Sequence, residues 1–204
     1  TLILNPPSTD TSITTYTIVD ATAPYEVPTF AIGTIECASG ISYSASVVPA
    51  AGFITESTSG RGMSWYTTDA SLVGNSYTVT VTATAGCSGE VTESIDYTLT
   101  IVNPILTPPA SYTSTHTYTV GGATGQYEVP TFDINHIECG INYNASVLSS
   151  AGFITESASG RGMTWYTTDT SVEGNSYTIT VTATAGCSGE VTESIDYTLT
   201  IVNP

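Results

Sequence analysis

Residues 76–102 read SYTVTVTATAGCSGEVTESIDYTLTIV, and residues 176–202 repeat this stretch with Ile179 in place of Val79. In both copies, apolar and hydroxyl-bearing side chains alternate on either side of the tetrapeptide Gly-Cys-Ser-Gly. A period of two is typical of a strand with one buried face, and a glycine-containing turn between two such strands indicates a hairpin. The stretch therefore predicts a pair of antiparallel strands in each half of the chain.

The duplication is much longer than this hairpin. Residues 51–104 recur almost unchanged as residues 151–204 of the 204-residue chain. A unit of about a hundred residues is the size of one small domain, so we expect two domains, residues 1–104 and residues 105–204. The segment from Ile101 to Pro109 is rich in proline, which favours extended backbone and predicts a short, semi-rigid linker.

Each half contains further segments typical of strands. In the first half they run from Thr14 to Val19, Glu26 to Phe30, Ile41 to Val47 and Met63 to Thr67. Pro28 cannot donate to a sheet ladder, which places its segment at an edge or a bulge. No helical periodicity is present, and about seven short strands in a hundred residues are typical of a sandwich. We therefore predict an all-β chain of two tandem Ig-like antiparallel β-sandwich domains.

The closing part of each half resembles a known family. The run from Gly74 to Val102 is similar to the last hairpin of bacterial-type Ig-like and cadherin-like repeats, in which Y-T-V-T-V-T-A-T precedes a turn and a T-L-T-V strand. The resemblance implies an extracellular surface protein built as a string of domains, such as an adhesin, a stalk or a filament. The D-x-N-D-N junction of calcium-binding cadherins does not occur here, since Val102 is followed by Asn103 and Pro104.

The charge of the chain excludes two classes of partner. The net charge is -16, there is no lysine, and the cations are Arg61 and Arg161. Such a surface repels the phosphates of nucleic acids and anionic lipids, so we expect neither to be a partner. No apolar run approaches the roughly 20 residues that a membrane-spanning helix needs, so we expect no membrane insertion.

The cysteines occur as one pair in each half. Cys37 and Cys87 in the first half correspond to Cys139 and Cys187 in the second. Their spacing is unlike that of a metal site, and we predict no metal ligands and no cofactor. One disulfide in each domain, formed in an oxidising compartment, is the favoured interpretation, and buried free thiols are the alternative.

No residue set predicts catalysis. His116 and His136 are the only histidines, and Thr14 and Thr34 replace them in the first half. A catalytic histidine would therefore serve one domain only, without a recognisable nucleophile, so we expect surface histidines. We predict no catalytic residue and no enzyme activity.

The two arginines lie in identical glycine-flanked loops. Because Arg61 is the only cation of its domain, we expect it to pair with a carboxylate such as Glu56 or Asp69. The alternative is that Arg61 and Arg161 contact a neighbouring subunit in self-association. Residues 2–4 offer a second candidate for that role.

Those residues, Leu2, Ile3 and Leu4, form an apolar strand-like segment. An edge strand with unpaired backbone groups can accept such a segment from another chain. We therefore expect that it could complete the sheet of a neighbour.

Paired aromatic residues give two interpretations. Trp65 and Tyr66 recur as Trp165 and Tyr166. A tryptophan inside a strand favours the core, whereas an exposed pair would suit stacking on a sugar ring.

A modification site is present in one half only. Asn144-Ala-Ser146 is a candidate N-glycosylation site, and Ser44 takes the place of the asparagine in the first half.

The two halves differ mainly in their first fifty residues. The segment from Asp20 to Pro24, for instance, corresponds to the dissimilar segment from Gly121 to Gln126. This divergence suggests that the two domains make unequal contacts with their neighbours.

These features together favour a non-enzymatic extracellular structural protein at the cell surface. We expect a subunit of a filament or stalk whose partners are copies of itself or other surface proteins. The alternative is an adhesin or glycan-binding module that uses exposed tryptophan and tyrosine.

Overall fold

The computed structural model describes residues 3–8, 13–33, 40–86, 90–135, 139–149, 151–187 and 191–203. The chain divides into two compact units, Thr1–Asn103 and Pro104–Pro204. Within the described ranges, no helix is both long enough and apolar enough to cross a membrane.

The described residues of the first unit form strands and one short 3-10 helix, Ala70–Leu72. Its strands are β1 (Leu4–Asn5), β2 (Ile13–Thr17), β3 (Ala23–Glu26), β4 (Ala31–Ile32), β5 (Ile41–Val48), β6 (Ile54–Glu56), β7 (Gly62–Trp65), β8 (Ser76–Gly86) and β9 (Glu90–Val102).

The second unit repeats this order, with its 3-10 helix at Thr170–Val172. Its strands are β10 (Leu106–Thr107), β11 (Thr115–Thr119), β12 (Gly125–Glu128), β13 (Asp133–Ile134), β14 (Ile141–Val147), β15 (Ile154–Glu156), β16 (Gly162–Trp165), β17 (Ser176–Ala185) and β18 (Thr192–Val202).

Each unit is a sandwich of two sheets. In the first unit the strand order is β2-β9-β8-β5 in one sheet and β3-β7-β6 in the other, and β1 pairs with β4. The second unit has the same orders, β11-β18-β17-β14 and β12-β16-β15, with β10 paired to β13. The predicted all-β class and the two sandwich domains are confirmed.

One pairing departs from the purely antiparallel prediction. Strand β2 runs parallel to β9, with Tyr16 opposite Ile101, and β11 runs parallel to β18 in the same way. Strand β1 pairs with β4, and the chain then enters the four-stranded sheet at β2. Strand β2 lies beside β9, the last strand of the unit, and runs in the same direction.

The two strands of the hairpin that dominates the sequence pair as predicted. Strands β8 and β9 pair from Ser76 opposite Thr100 to Gly86 opposite Glu90. On the inner face of this hairpin Val79, Val81 and Ala83 are completely buried. The period of two in the sequence thus corresponds to a buried face and a hydroxyl-bearing outer face.

The core lies between the two sheets of each unit. Trp65 and Met63 of β7 are buried against the inner face of β8 and β9, and Trp165 and Met163 are buried in the second unit. Full burial of one large apolar side chain contributes about 1.5–3 kcal/mol to folding.

A buried tyrosine ties the start of each sandwich to the end of β7 or β16. The Tyr16 hydroxyl donates to the Asp20 carbonyl oxygen at 2.9 Å and accepts from the Thr67 backbone N–H at 3.3 Å. Tyr118 makes the corresponding bonds to Gly122 at 3.0 Å and to Thr167 at 3.4 Å. These bonds satisfy backbone groups that no sheet ladder reaches.

Candidate functional site

A disulfide closes the second domain. Cys139 and Cys187 are bonded, their Cα atoms are 5.1 Å apart, and 48 positions separate them in the sequence. Both are buried, just before β14 and just after β17. Cys37 and Cys87 lie outside the described residues, so the predicted disulfide of the first domain stays a prediction.

Each arginine pairs with a carboxylate, but not with either of the two that the sequence suggested. An Arg61 guanidinium nitrogen lies 2.7 Å from Oε2 of Glu26, on β3, and another donates to the Val27 carbonyl oxygen at 3.2 Å. The expectation of Glu56 or Asp69 as the partner is wrong, because the pairing of β3 with β7 places Glu26 opposite Gly62, next to Arg61. The carboxylates of Glu56 and Asp69 accept hydrogen bonds from backbone N–H groups elsewhere.

The second domain repeats this arrangement. Arg161 lies 2.9 Å from Oε2 of Glu128, and the Ser159 hydroxyl donates to Oε1 of the same carboxylate at 2.8 Å. Hydrogen bonds from the hydroxyls of Ser159 and Ser157, together with the positive charge of Arg161, lower the pKa of Glu128. Glu128 is therefore held as a carboxylate whose charge Arg161 offsets.

Two glutamates have a role that the sequence did not indicate, because each covers an edge of a four-stranded sheet. The backbone N–H of Ala45, in edge strand β5, donates to Oε1 of Glu56 at 2.7 Å. Ala145, in β14, donates to Oε1 of Glu156 at the same distance. A carboxylate therefore occupies the position where the carbonyl of an added strand would bind.

The tryptophans lie in the core. Trp65 is 4% exposed and Trp165 is 5% exposed, so neither presents a ring to solvent. Their neighbours Tyr66 and Tyr166 are exposed, at 49% and 52%. The prediction that the tryptophans lie in the core is confirmed. Of these four aromatic side chains, only the two tyrosines are exposed enough to stack on a sugar.

His116 is not a surface histidine, contrary to expectation. Its ring centroid lies 4.0 Å from that of Tyr127, 5.6 Å from that of Tyr197 and 6.1 Å from that of Trp165. Its Nε2 is buried and has no hydrogen-bond partner among the described residues. Burial lowers the pKa of His116.

The alternation of inward and outward side chains along strand β11 explains this difference. His116 is one residue from exposed positions on either side and two residues from the buried Tyr118, so it faces inward. His136 lies outside the described residues.

The apolar segment at the start of the chain belongs largely to its own domain. Leu4 is 3% exposed within the core and pairs with Ile32. Leu106 has the same place in the second domain. Ile3 is 52% exposed, and Leu2 lies outside the described residues. Leu4 is therefore already paired within its own domain, and the role of Leu2 and Ile3 in self-association stays a prediction.

The candidate glycosylation site is accessible. Asn144 is exposed on β14, opposite Thr182, and Ser146 of the sequon is exposed on the same face. The whole face carries hydroxyl groups, some paired across strands, such as Thr182 and Ser194 at 2.9 Å. Modification of Asn144 stays a prediction.

A groove borders the edge strand of the three-stranded sheet in the second domain. Its volume is about 470 Å³, and its lining is Ser111, Tyr112, Thr113, Tyr127, Glu128 and Pro130. The Thr113 N–H donates to the Tyr127 hydroxyl at 2.8 Å, which holds the segment before β11 at one side of this groove.

The described residues do not form a recognisable metal centre. Among them, no group of three or more histidine, cysteine, aspartate or glutamate side chains could hold a metal ion.

Comparisons with known proteins give structural similarity alone. No protein-family model matches the sequence, and no curated protein matches it significantly. The chain is similar over 100% of its length to mouse cadherin-23 repeats EC22-24, with 16% identity, a TM-score of 0.39 and 67% of that chain covered.

Two further structures are similar over nearly the whole chain. The extracellular domain of protocadherin gamma B4 is similar with 9% identity and a TM-score of 0.42, and the match covers 100% of this chain and 34% of the protocadherin chain. Drosophila N-cadherin EC1-3 is similar with 14% identity and a TM-score of 0.37, and the match covers 98% of this chain and 66% of the N-cadherin chain. The chain thus spans about a third to two thirds of the structures that it resembles.

Proposed function

We propose that this chain is a non-enzymatic extracellular structural protein, a subunit of a cell-surface filament or stalk. The observation that carries this proposal is the duplication. Two units, nearly identical in sequence over their second halves, have the same strand order, each around its own buried core. Domains that repeat a scaffold in this way supply length and multiple contacts.

The Cys139–Cys187 disulfide supports an extracellular location. Disulfides persist in oxidising compartments and are rare in the cytosol. An extracellular site at the cell surface also suits hydroxyl-rich strands and a net charge of -16, which keeps exposed domains soluble.

We infer that the partners are copies of the same chain or other surface proteins. Self-association of so acidic a chain requires places where its negative charge is offset. The ion pairs Arg61–Glu26 and Arg161–Glu128 provide one such place in each domain. These arginines therefore neutralise a surface of their own domain, at which we expect a neighbouring chain to approach.

Negative-stain electron microscopy of the purified, non-reduced protein over a range of concentrations tests this function. Regular fibres with a repeat of two domains are the expected result. Isolated two-lobed particles at every concentration would contradict a homopolymer and leave a spacer or an adhesin.

The second candidate is a glycan-binding adhesin, and the exposure of Tyr66 and Tyr166 favours it. Exposed tyrosine rings can stack on sugars, whereas the buried tryptophans cannot. A glycan array with the wild type and the Tyr66→Ala/Tyr166→Ala double variant separates the two functions. Binding that disappears in the variant supports the adhesin, and absence of binding by the wild type removes it.

A further inference from the structure

Not every sheet edge of this protein is equally open to another strand. In the four-stranded sheets, Glu56 and Glu156 bind the outward N–H groups of Ala45 and Ala145. A strand that approached β5 or β14 would have to displace a carboxylate from a 2.7 Å hydrogen bond. The three-stranded sheets have β3 and β12 at an edge, and these two strands differ between the domains.

The direction of the backbone N–H groups at that edge follows from a neighbouring hydrogen bond. Val27, just after β3, donates its N–H to the Arg61 carbonyl oxygen at 2.9 Å, and Val129 donates to that of Arg161 at 2.9 Å. Because successive N–H groups of a strand point to opposite sides, the group at position 128 points outward, and so does the one at Gln126.

Proline marks the same position in the first domain. Pro24 lies opposite Ser64 in the pairing of β3 with β7, and Gln126 lies opposite Thr164 in the pairing of β12 with β16. Pro24 has no N–H to present to solvent, so the β3 edge lacks a donor at its centre. The β12 edge has both donors, those of Gln126 and Glu128.

The β12 edge is complementary to itself. If two copies pair antiparallel about a two-fold axis centred on Tyr127, Gln126 of each chain lies opposite Glu128 of the other, and directly opposite residues share a face. The Gln126 side-chain amide lies 3.4 Å from its own Glu128 carboxylate, a long hydrogen bond. In the pair, this amide can donate to the carboxylate of the second copy.

Charge and access also favour a second copy at this edge. Arg161 offsets the charge of Glu128, so two acidic chains can approach each other here. A groove of about 470 Å³, lined by Glu128, Pro130 and the segment Ser111–Thr113, borders this edge strand.

We propose that β12, residues Gly125–Glu128 of the second domain, pairs with β12 of a second copy of this chain, while Pro24 prevents the same pairing in the first domain. This proposal rests on the self-association proposed above and names one of its contacts, since a two-fold pair closes as a dimer and a filament needs a second contact as well.

Gln126→Pro tests the proposal because it removes the outward donor and no inward one. Proline is accommodated at the equivalent position of the first domain, so the variant should keep its fold, which circular dichroism and the melting temperature check. Sedimentation velocity of the full, non-reduced chain measures self-association. We expect at least about a tenfold weaker association, since two backbone hydrogen bonds are lost in each symmetric pair.

Gln126→Ala is the matched control, because it keeps the N–H and removes only the side-chain amide. It should weaken association less than Gln126→Pro does. In ¹H–¹⁵N spectra of the wild type, the Gln126 and Glu128 amide signals should shift with protein concentration.

Two results would overturn the proposal, and they are distinguishable. If the wild type associates and Gln126→Pro associates equally well, the β12 edge is not the contact and the filament function stands. If the wild type stays monomeric at all concentrations, both the edge pairing and the homopolymer are wrong.

Discussion

The carboxylate of Glu156 accepts a hydrogen bond from the backbone N–H of Ala145 at 2.7 Å, and so connects β15 of one sheet to the edge strand β14 of the other. Glu56 and Ala45 repeat the contact in the first domain. The same side chain therefore joins the two sheets and occupies an edge donor.

Removal of this carboxylate should have two effects. We expect Glu156→Ala to lower the free energy of unfolding of the second domain by about 1.5–3 kcal/mol, the usual contribution of a hydrogen bond to a charged group. The variant should also aggregate faster, because the Ala145 N–H becomes available to another strand. Urea denaturation and light scattering measure the two effects.

Glu156→Gln is the control for this experiment. Its amide oxygen can still accept from Ala145, so most of the stability and the resistance to aggregation should remain. If Glu156→Ala were as stable and as soluble as Glu156→Gln, the contact would have neither role.

Gly162 should tolerate no side chain. A Cβ atom at Gly162 would overlap the carbonyl oxygen of Tyr127 on the neighbouring strand. We expect Gly162→Ala to push β12 from β16 and to destabilise the second domain by about 1–3 kcal/mol. Chemical denaturation measures the change.

Gly152→Ala provides the comparison, because nothing lies within 4 Å of a Cβ atom built there. Equal stabilities of the two variants would show that β12 does not approach β16 this closely.

Local patterns in the sequence were sufficient to predict which face of a strand is buried. The alternation from Tyr77 to Ala83 predicts the inner face of β8, and these side chains are buried as expected. The core position of Trp65 follows from the same reasoning, since it lies within a strand. In both cases the period of two determines which face meets the core.

Contacts between distant strands could not be predicted in this way. The pairing of Arg61 with Glu26 depends on β3 lying next to β7, with Glu26 opposite Gly62. The sequence separation of 35 residues gives no sign of that register. Glu56 and Asp69 are nearer in the sequence, but their carboxylates accept from backbone groups elsewhere.

The environment of His116 predicts a loss of stability in mild acid. Burial lowers its pKa in the folded protein below the value of about 6.5 expected in the unfolded chain. The unfolded state therefore binds the proton more readily than the folded state does. The contribution of neutral His116 to the free energy of unfolding is fully present above about pH 6.5 and is lost as the pH falls below that value. Urea denaturation at pH 7.5 and pH 5.5 measures the change.

Two histidine variants test whether the pH dependence of stability comes from His116. His116→Thr introduces the residue of the first domain and should reduce the dependence on pH between these values. His136→Thr should leave the contribution of His116 intact. A His116 ring that titrates at or above its ordinary pKa in ¹H–¹⁵N or ¹H–¹³C spectra would contradict the prediction.

Tyr197 should make the second domain sensitive to alkali. Burial raises the pKa of Tyr197 to about 12, and its hydroxyl accepts a hydrogen bond from the Met163 N–H at 3.1 Å. Because the folded pKa lies above the unfolded value of about 10, this contribution to stability is complete below pH 10 and declines as the pH rises toward 12. Absorbance of tyrosinate, followed against pH, should show a late-titrating group that is absent from Tyr197→Phe.

The same variant separates the hydroxyl from the ring. Tyr197→Phe keeps the edge contact with the Tyr127 ring, whose centroid lies 5.0 Å away, but leaves the buried Met163 N–H without its acceptor. We expect a loss of about 1–3 kcal/mol in the free energy of unfolding at neutral pH, measured by urea denaturation. An unchanged stability would mean that the Met163 N–H has another acceptor.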